Sequence, residues 1–209
     1  MKPFVQLSGY FNIASGILLL LFWYLYAILM PYSQLDTTLS LLVLNKNWTF
    51  VNLLGSLGAL FGTVGLVGLF ISMQDQLSKM ATWGFVIALI GTILMLITLV
   101  RDTLIWPILA QHDPSLLDFT GPIYASKTFM PFFIFSGVVY TIGYMLFGLA
   151  IAKTDLYPVW AGHLFAWGAL LFGLGAAFGN LQVYIRSIGI TVLSAGLIWL
   201  GYLMRSMFK

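Results

Sequence analysis

The chain holds no cysteine and no glutamate among its 209 residues, and only two histidines, His112 and His163. The missing thiols exclude disulfides, thiolate nucleophiles and cysteine-ligated metals together. With glutamate absent, six aspartates are the whole acidic inventory. Beside two distant imidazoles they make a poor catalytic kit, so an enzyme is disfavoured. Charge of either sign is scarce: 7% of residues are charged, against about a quarter in soluble domains. The net charge of +3 is scattered along the chain, which argues against nucleic acid as a partner and leaves Lys and Arg as an orientation signal.

What fills the space is apolar. Hydrophobic residues make up 61% of the chain and the mean hydropathy is +1.01, the composition of a membrane protein. Six apolar runs, at about 8–30, 50–73, 80–100, 128–152, 157–178 and 185–205, are each long enough to span as a helix. The reading is one all-α integral membrane domain, a polytopic six-helix bundle. A β-barrel would need short alternating segments, whereas "GILLLLFWYLYAILM" is apolar on every side. The first run is too long for a signal-peptide core and is expected to stay as a helix.

Lys and Arg set the orientation. With the N-terminus inside, Lys2, Lys79, Lys153, Arg205 and Lys209 are cytoplasmic and Lys46, Arg101, Lys127 and Arg186 are outside, so N-in and C-in is favoured by a narrow margin. The inner turns are then short, and the outer connections at about 31–49 and 101–127 long and half apolar. Ser33 and Asp36 have capping-box spacing ahead of Leu39 and Leu42, and Asp113 with Pro114 has the look of an N-cap and first helical position. Short interfacial helices forming an outer lid are expected.

Two runs carry seams of small residues: Gly55, Gly58, Gly62 and Gly65 in the second, Gly162, Ala166, Ala169 and Gly173 in the fifth. Such stripes let helix backbones approach where lipid supplies no hydrophobic drive, and they place the second and fifth helices at the centre. Tyr10, Trp83, Tyr157, Trp160, Trp199 and Tyr202 fall near the inner boundary, and Tyr32, Trp48, Trp106, Tyr124 and Tyr184 near the outer one, as interfacial belts do. Trp23, Tyr140 and Trp167 fall deeper, where core packing or a cavity wall is their use.

Arg101 and Asp102 stand side by side in "ITLVRDTLIWPILAQHDP". A helix from Ala81 reaches Arg101 after about 30 Å, the thickness of the hydrocarbon core, so the pair marks the outer exit. "TLIWPILA" continues apolar beyond it, and Pro107 invites a kink that folds this segment under the lid. Sequence neighbours point about 100° apart on a helix, so each of the pair is expected to find another partner: Arg186, close to Asn180 and Gln182, for Asp102, and Asp36, Asp113 or Asp118 for Arg101. Converging, Arg101, Asp102, Trp106, His112, Asp113, Asn180 and Arg186 form an outer polar mouth able to take a small-molecule ligand. His163, near Trp160 and Trp167 just inside the inner boundary, is a packing histidine or a secondary site. It has no His at i+4 and no glutamate to share a metal or haem, so neither metal nor cofactor is expected.

"WPILAQHDPSLLDF" followed by "YTIGYMLFGLAIAKTDLYPVWAGHLFAWGALLFGLG" resembles small uncharacterised multi-pass membrane proteins of bacteria. The likeness covers roughly the C-terminal half and implies a bacterial inner membrane, with no activity to carry over. Two functions follow from the residues. The first is transport or binding of a small molecule through the outer mouth. The second is an accessory or regulatory subunit, with a membrane protein or a second copy as partner, which a lipid-exposed glycine stripe would favour.

Overall fold

The structure, a computed structural model, describes residues 1–30, 38–76, 78–118 and 120–208. Among these residues there is no strand. The α-helices are α1 (Lys2–Leu29), α2 (Leu39–Val43), α3 (Trp48–Ser72), α4 (Lys79–Leu104), α5 (Trp106–His112), α6 (Phe129–Ile151), α7 (Val159–Gly175) and α8 (Gln182–Met207). Five segments are long and apolar enough to cross a membrane: α1, α3, α4 continued through α5, α6 and α8. α7, the helix of the fifth apolar run, is apolar but has 17 residues, about 25 Å of helix. It stops short of 178 because the N–H groups of Ala176, Ala177 and Phe178 turn back onto the carbonyls of Gly173, Leu174 and Gly175. Gly179 then adopts φ +48°, a left-handed conformation open to glycine.

Local chemistry sets the other boundaries. Pro3 in the first turn lets α1 start at Lys2, earlier than hydropathy indicates. Ser78 caps α4, its hydroxyl accepting from the Ala81 N–H at 3.1 Å. α4 runs past Arg101 to Leu104, and the axis breaks at Ile105, two residues before Pro107. Proline has no N–H to give the carbonyl four residues back and its ring crowds that turn. Asp113 caps a single 3-10 turn, Pro114–Leu117, accepting from the Ser115 N–H at 3.1 Å. The Ser33–Asp36 cap falls outside the described residues, as does Tyr32.

The six long helices form a closed ring in chain order: α1 packs on α3, α3 on α4, α4 on α6, α6 on α7, α7 on α8, and α8 returns to α1. Among the described residues no helix is central. The expectation that the second and fifth helices occupy the middle is therefore corrected, because a small-residue stripe permits close approach to one neighbour without implying neighbours all round. Gly55, Gly58, Gly62 and Gly65 of α3 face Phe22, Leu19, Ser15 and Asn12 of α1. Gly162 and Gly173 of α7 face Ala152 and Thr141 at the α6 side, and Ala166 meets Gly148. Ala169 is buried in the core. The tightest approach between the two ends of the chain is Gly9 against Gly201, where an added methyl would lie 2.6 Å from a carbonyl oxygen.

Two apolar cores result. One lies within the ring and includes Trp23, Tyr144, Phe147, Phe165 and Leu197. The other is a cap over the ring's end opposite the two termini, the outer end of the expected topology, built from Met30, Leu39, Leu42, Trp48, Trp106, Ala110 and Leu117. In that cap α2 and α5 lie against each other and against the Pro114–Leu117 turn, the lid expected of the long connections. Trp48, Trp106 and Tyr157 are buried and so are not belt residues; Tyr157 instead hydrogen-bonds Ser72 at 2.6 Å. Trp83, Trp160, Tyr184 and Tyr202 face outward, as belts require.

Candidate functional site

The ring is not solid. A cavity of about 540 Å³ runs inward from the cap, walled by α1, α3, α4, α6, α7 and α8 and roofed by α2 and α5. On α1 its lining extends from Tyr26 to Ser15, eleven residue steps, or about 16 Å of helix. Aromatic rings dominate the wall. The charged groups are at one end and most of the hydroxyls at the other, with Thr98 between them.

At the outer end Arg101 and Asp102 pair with each other. Arg101 donates from Nε at 2.8 Å and from Nη2 at 2.5 Å, both to Oδ1 of Asp102. This corrects the expectation that adjacent residues could not meet. Their Cβ atoms diverge, but the arginine stem is long enough to swing the guanidinium back around the helix, and a dry setting rewards pairing with the nearest carboxylate. The same guanidinium lies 4.5 Å from the Trp106 ring centre and 4.8 Å from that of Phe129. Trp48 fixes the local backbone, its indole N–H donating to the Asp102 carbonyl at 2.7 Å.

Arg186 lines the same cavity from α8. Its guanidinium sits between Trp23 at 4.4 Å and Phe172 at 4.5 Å, and Trp23 is held by donating to Ser187 Oγ at 2.9 Å. Each arginine is thus flanked by two rings. Guanidinium is weakly hydrated and attracted to ring faces, by about 2 kcal/mol or more when dry, which is how an apolar wall retains it.

The inner end is built from hydroxyls. Thr92 and Tyr144 are linked at 3.2 Å, Tyr140 stacks on Tyr144 with centroids 4.2 Å apart, and Ser15 donates to the Gly58 carbonyl at 2.8 Å. Between the ends the wall includes Leu19, Met95, Leu99, Met130 and Phe133.

Of the residues singled out in the sequence, Arg101, Asp102, Trp106 and Arg186 converge on the cavity. His112, Asp113 and Asn180 do not: all three are exposed, His112 Nδ1 against the Ile108 carbonyl at 3.0 Å and Asp113 engaged in its cap. For His112 and Asp113 the reason is the break at Ile105, which ends the line of α4 before they are reached; Asn180 lies in the exposed turn between α7 and α8. His163 is half-buried at the inner end of α7 beside Trp160, remote from the lining, with its Nδ1 buried and no hydrogen-bond partner among the described residues. Trp23 and Tyr140 line the cavity and Trp167 faces outward. Phe129, Phe172, Thr92 and Tyr144 also belong to the site. Only the pairing of a deep arginine with nearby rings hints at the first two in the sequence. No family model, curated protein or solved structure matches the chain.

Proposed function

We propose that the protein is a six-span protein of the bacterial cytoplasmic membrane, with both termini inside, that binds an elongated amphipathic small molecule. The cavity carries this reading: a long, ring-walled space with a charged mouth, a mainly apolar shaft and a hydroxyl-lined floor suits a ligand with one polar head and an apolar body. Arg101 has five N–H donors, two of them directed at Asp102. A head group that accepts hydrogen bonds, such as a carboxylate, phosphate ester or carbonyl, complements the rest. Volume spread over that length leaves room for one chain or one flat ring system in cross-section. The proximity of Gly9 to Gly201 puts the two termini at the end opposite the mouth, the end that the Lys and Arg count assigns to the cytoplasm.

Titration of nitroxide-labelled stearate into the protein in nanodiscs tests the reading, since Trp23, Trp48 and Trp106 line the cavity and report its occupancy. Quenching is expected to saturate and Arg101→Gln to weaken binding by about tenfold, or 1.4 kcal/mol. Quenching that rises in proportion to total probe, with no plateau, would contradict it.

Binding has more support than passage across the membrane. Below Ser15 at the cavity floor, the buried Asn12 and Ser8 are packed against Gly65 and Gly68 of α3, and Asn12 Nδ2 donates to the Gly65 carbonyl at 3.2 Å. A docking role has less support, because the glycine seams lie between helices of the same chain.

A further inference from the structure

We infer that the ligand enters sideways from the outer leaflet, through a gap between the outer ends of α6 and α7, and is therefore a molecule that resides in the lipid; this rests on the cavity being the binding site. The α6·α7 seam is shut at its inner and middle levels. Gly148 meets Ala166, Gly162 meets Ala152, and Gly173 meets the side chain of Thr141. One turn outward the closure ends. Gly137 lies four residues before Thr141 on the same face of α6, and a methyl group added there would meet no atom within 4 Å.

The gap follows from unequal helix lengths. α7 ends at Gly175, two residues past the contact with Thr141, and Gly175 turns against Arg186 of α8. α6 continues outward from Thr141 for twelve residues, about 18 Å. Residues 176–181, which follow α7, are all exposed. The overhanging turn of α6, residues 131–135, is exposed on every side. Its Phe133, one turn outward of Gly137, lines the cavity while remaining 44% exposed, and Phe172 lines the cavity from α7, next to Gly173. The cavity lining thus reaches the surface between Phe133 and Phe172, with the open face of Gly137 beside it. That rim lies about 6–12 Å from the outer end of α6, within the hydrocarbon region of one leaflet. The aqueous side is roofed by the cap of α2 and α5. A chain-bearing amphiphile already in the leaflet can slide its tail through this rim while its head stays level with Arg101 and Arg186.

Stopped-flow tryptophan quenching tests the route. Protein in nanodiscs is mixed with vesicles carrying nitroxide-labelled stearate, or with a water-soluble nitroxide-labelled short-chain carboxylate. Gly137→Phe sets a ring at the gap, on a Cβ that meets no neighbour within 4 Å. It is expected to slow uptake of the vesicle-borne probe by about tenfold, within the range over which mutation alters association rates, and to leave the final quenching unchanged. Phe133→Ala is expected to widen the gap and speed the same uptake, which decides the matter should Gly137→Phe lower the melting temperature. Unchanged vesicle uptake in both variants, with saturable quenching intact, would overturn the lateral route and leave the cavity as the site. Absence of saturable quenching in the unmodified protein would overturn the binding reading, and the route with it.

Discussion

Arg101 and Arg186 occupy apolar surroundings because each guanidinium is held between two aromatic faces and Arg101 has a carboxylate beside it. The Arg101 and Asp102 side chains keep 19% and 17% of their surface accessible, so the pair is partly dry. Removing one member strands the other. Asp102→Asn is expected to cost between the about 1 kcal/mol of a wet pair and the roughly 3–5 kcal/mol of a fully buried one. A double-mutant cycle in detergent melts, Asp102→Asn with Arg101→Gln, should give a coupling above about 1 kcal/mol. The corresponding cycle with Arg186→Gln should give less; the reverse order would mean that Asp102 serves Arg186 first. At this scale the sequence is readable where a residue is chemically out of place. An arginine or aspartate in a greasy run stands out, and Arg101, Asp102 and Arg186 do line the cavity. Thr92, Tyr144 and Phe129 do not stand out, because in a helix apolar all round nothing in the periodicity says which face looks inward. His112, Asp113 and Asn180 read as site residues only because chain proximity was the available guide, and the break at Ile105 directs α5 elsewhere.

The helices themselves follow closely from the apolar runs, since in lipid every backbone group must be satisfied internally and a helix does this alone. Their ends depend on caps and on tertiary neighbours. α7 is the clear case: the run is apolar to 178, but from Ala176 the backbone N–H groups bond three residues back, and Gly179 then turns the chain. The small-residue seams also mark contacts without saying with which helix. Gly173 and Gly137 make the contrast testable. Gly173 is packed on Thr141 and Gly137 faces open space. Gly173→Leu should wedge α6 from α7 and lower the melting temperature, at a cost of about 1–3 kcal/mol for overpacking. Gly137→Leu should leave it unchanged or raise it slightly, since leucine favours helix over glycine by up to about 1 kcal/mol. Equal destabilisation by both would show that the seam is closed along its whole length.

In the whole molecule, packing each helix on its predecessor and successor and then closing α8 onto α1 leaves an interior that no helix fills. The cavity is a consequence of that ring order, and the cap over it a consequence of long outer connections beside short inner ones. Neither is written in a hydropathy profile, which counts spans without ordering them. The cysteine-free chain makes the topology directly measurable. Single cysteines at exposed Lys46 and Ser115 should react with an impermeant maleimide from outside, and those at exposed Asp75 and Lys153 only after the inner face is opened. Labelling of Asp75→Cys and Ser115→Cys from the same side would remove the span between them. The central claim, that the ring interior holds an amphiphile, is tested most directly by photolabelling with a stearate analogue bearing a diazirine near the tail, followed by peptide mass spectrometry. The label is expected at Met95, Tyr140 and Tyr144, and competition by excess stearate should abolish it. Label confined to outward-facing residues such as Ile93, Ile134 and Trp167, and insensitive to competitor, would contradict the account.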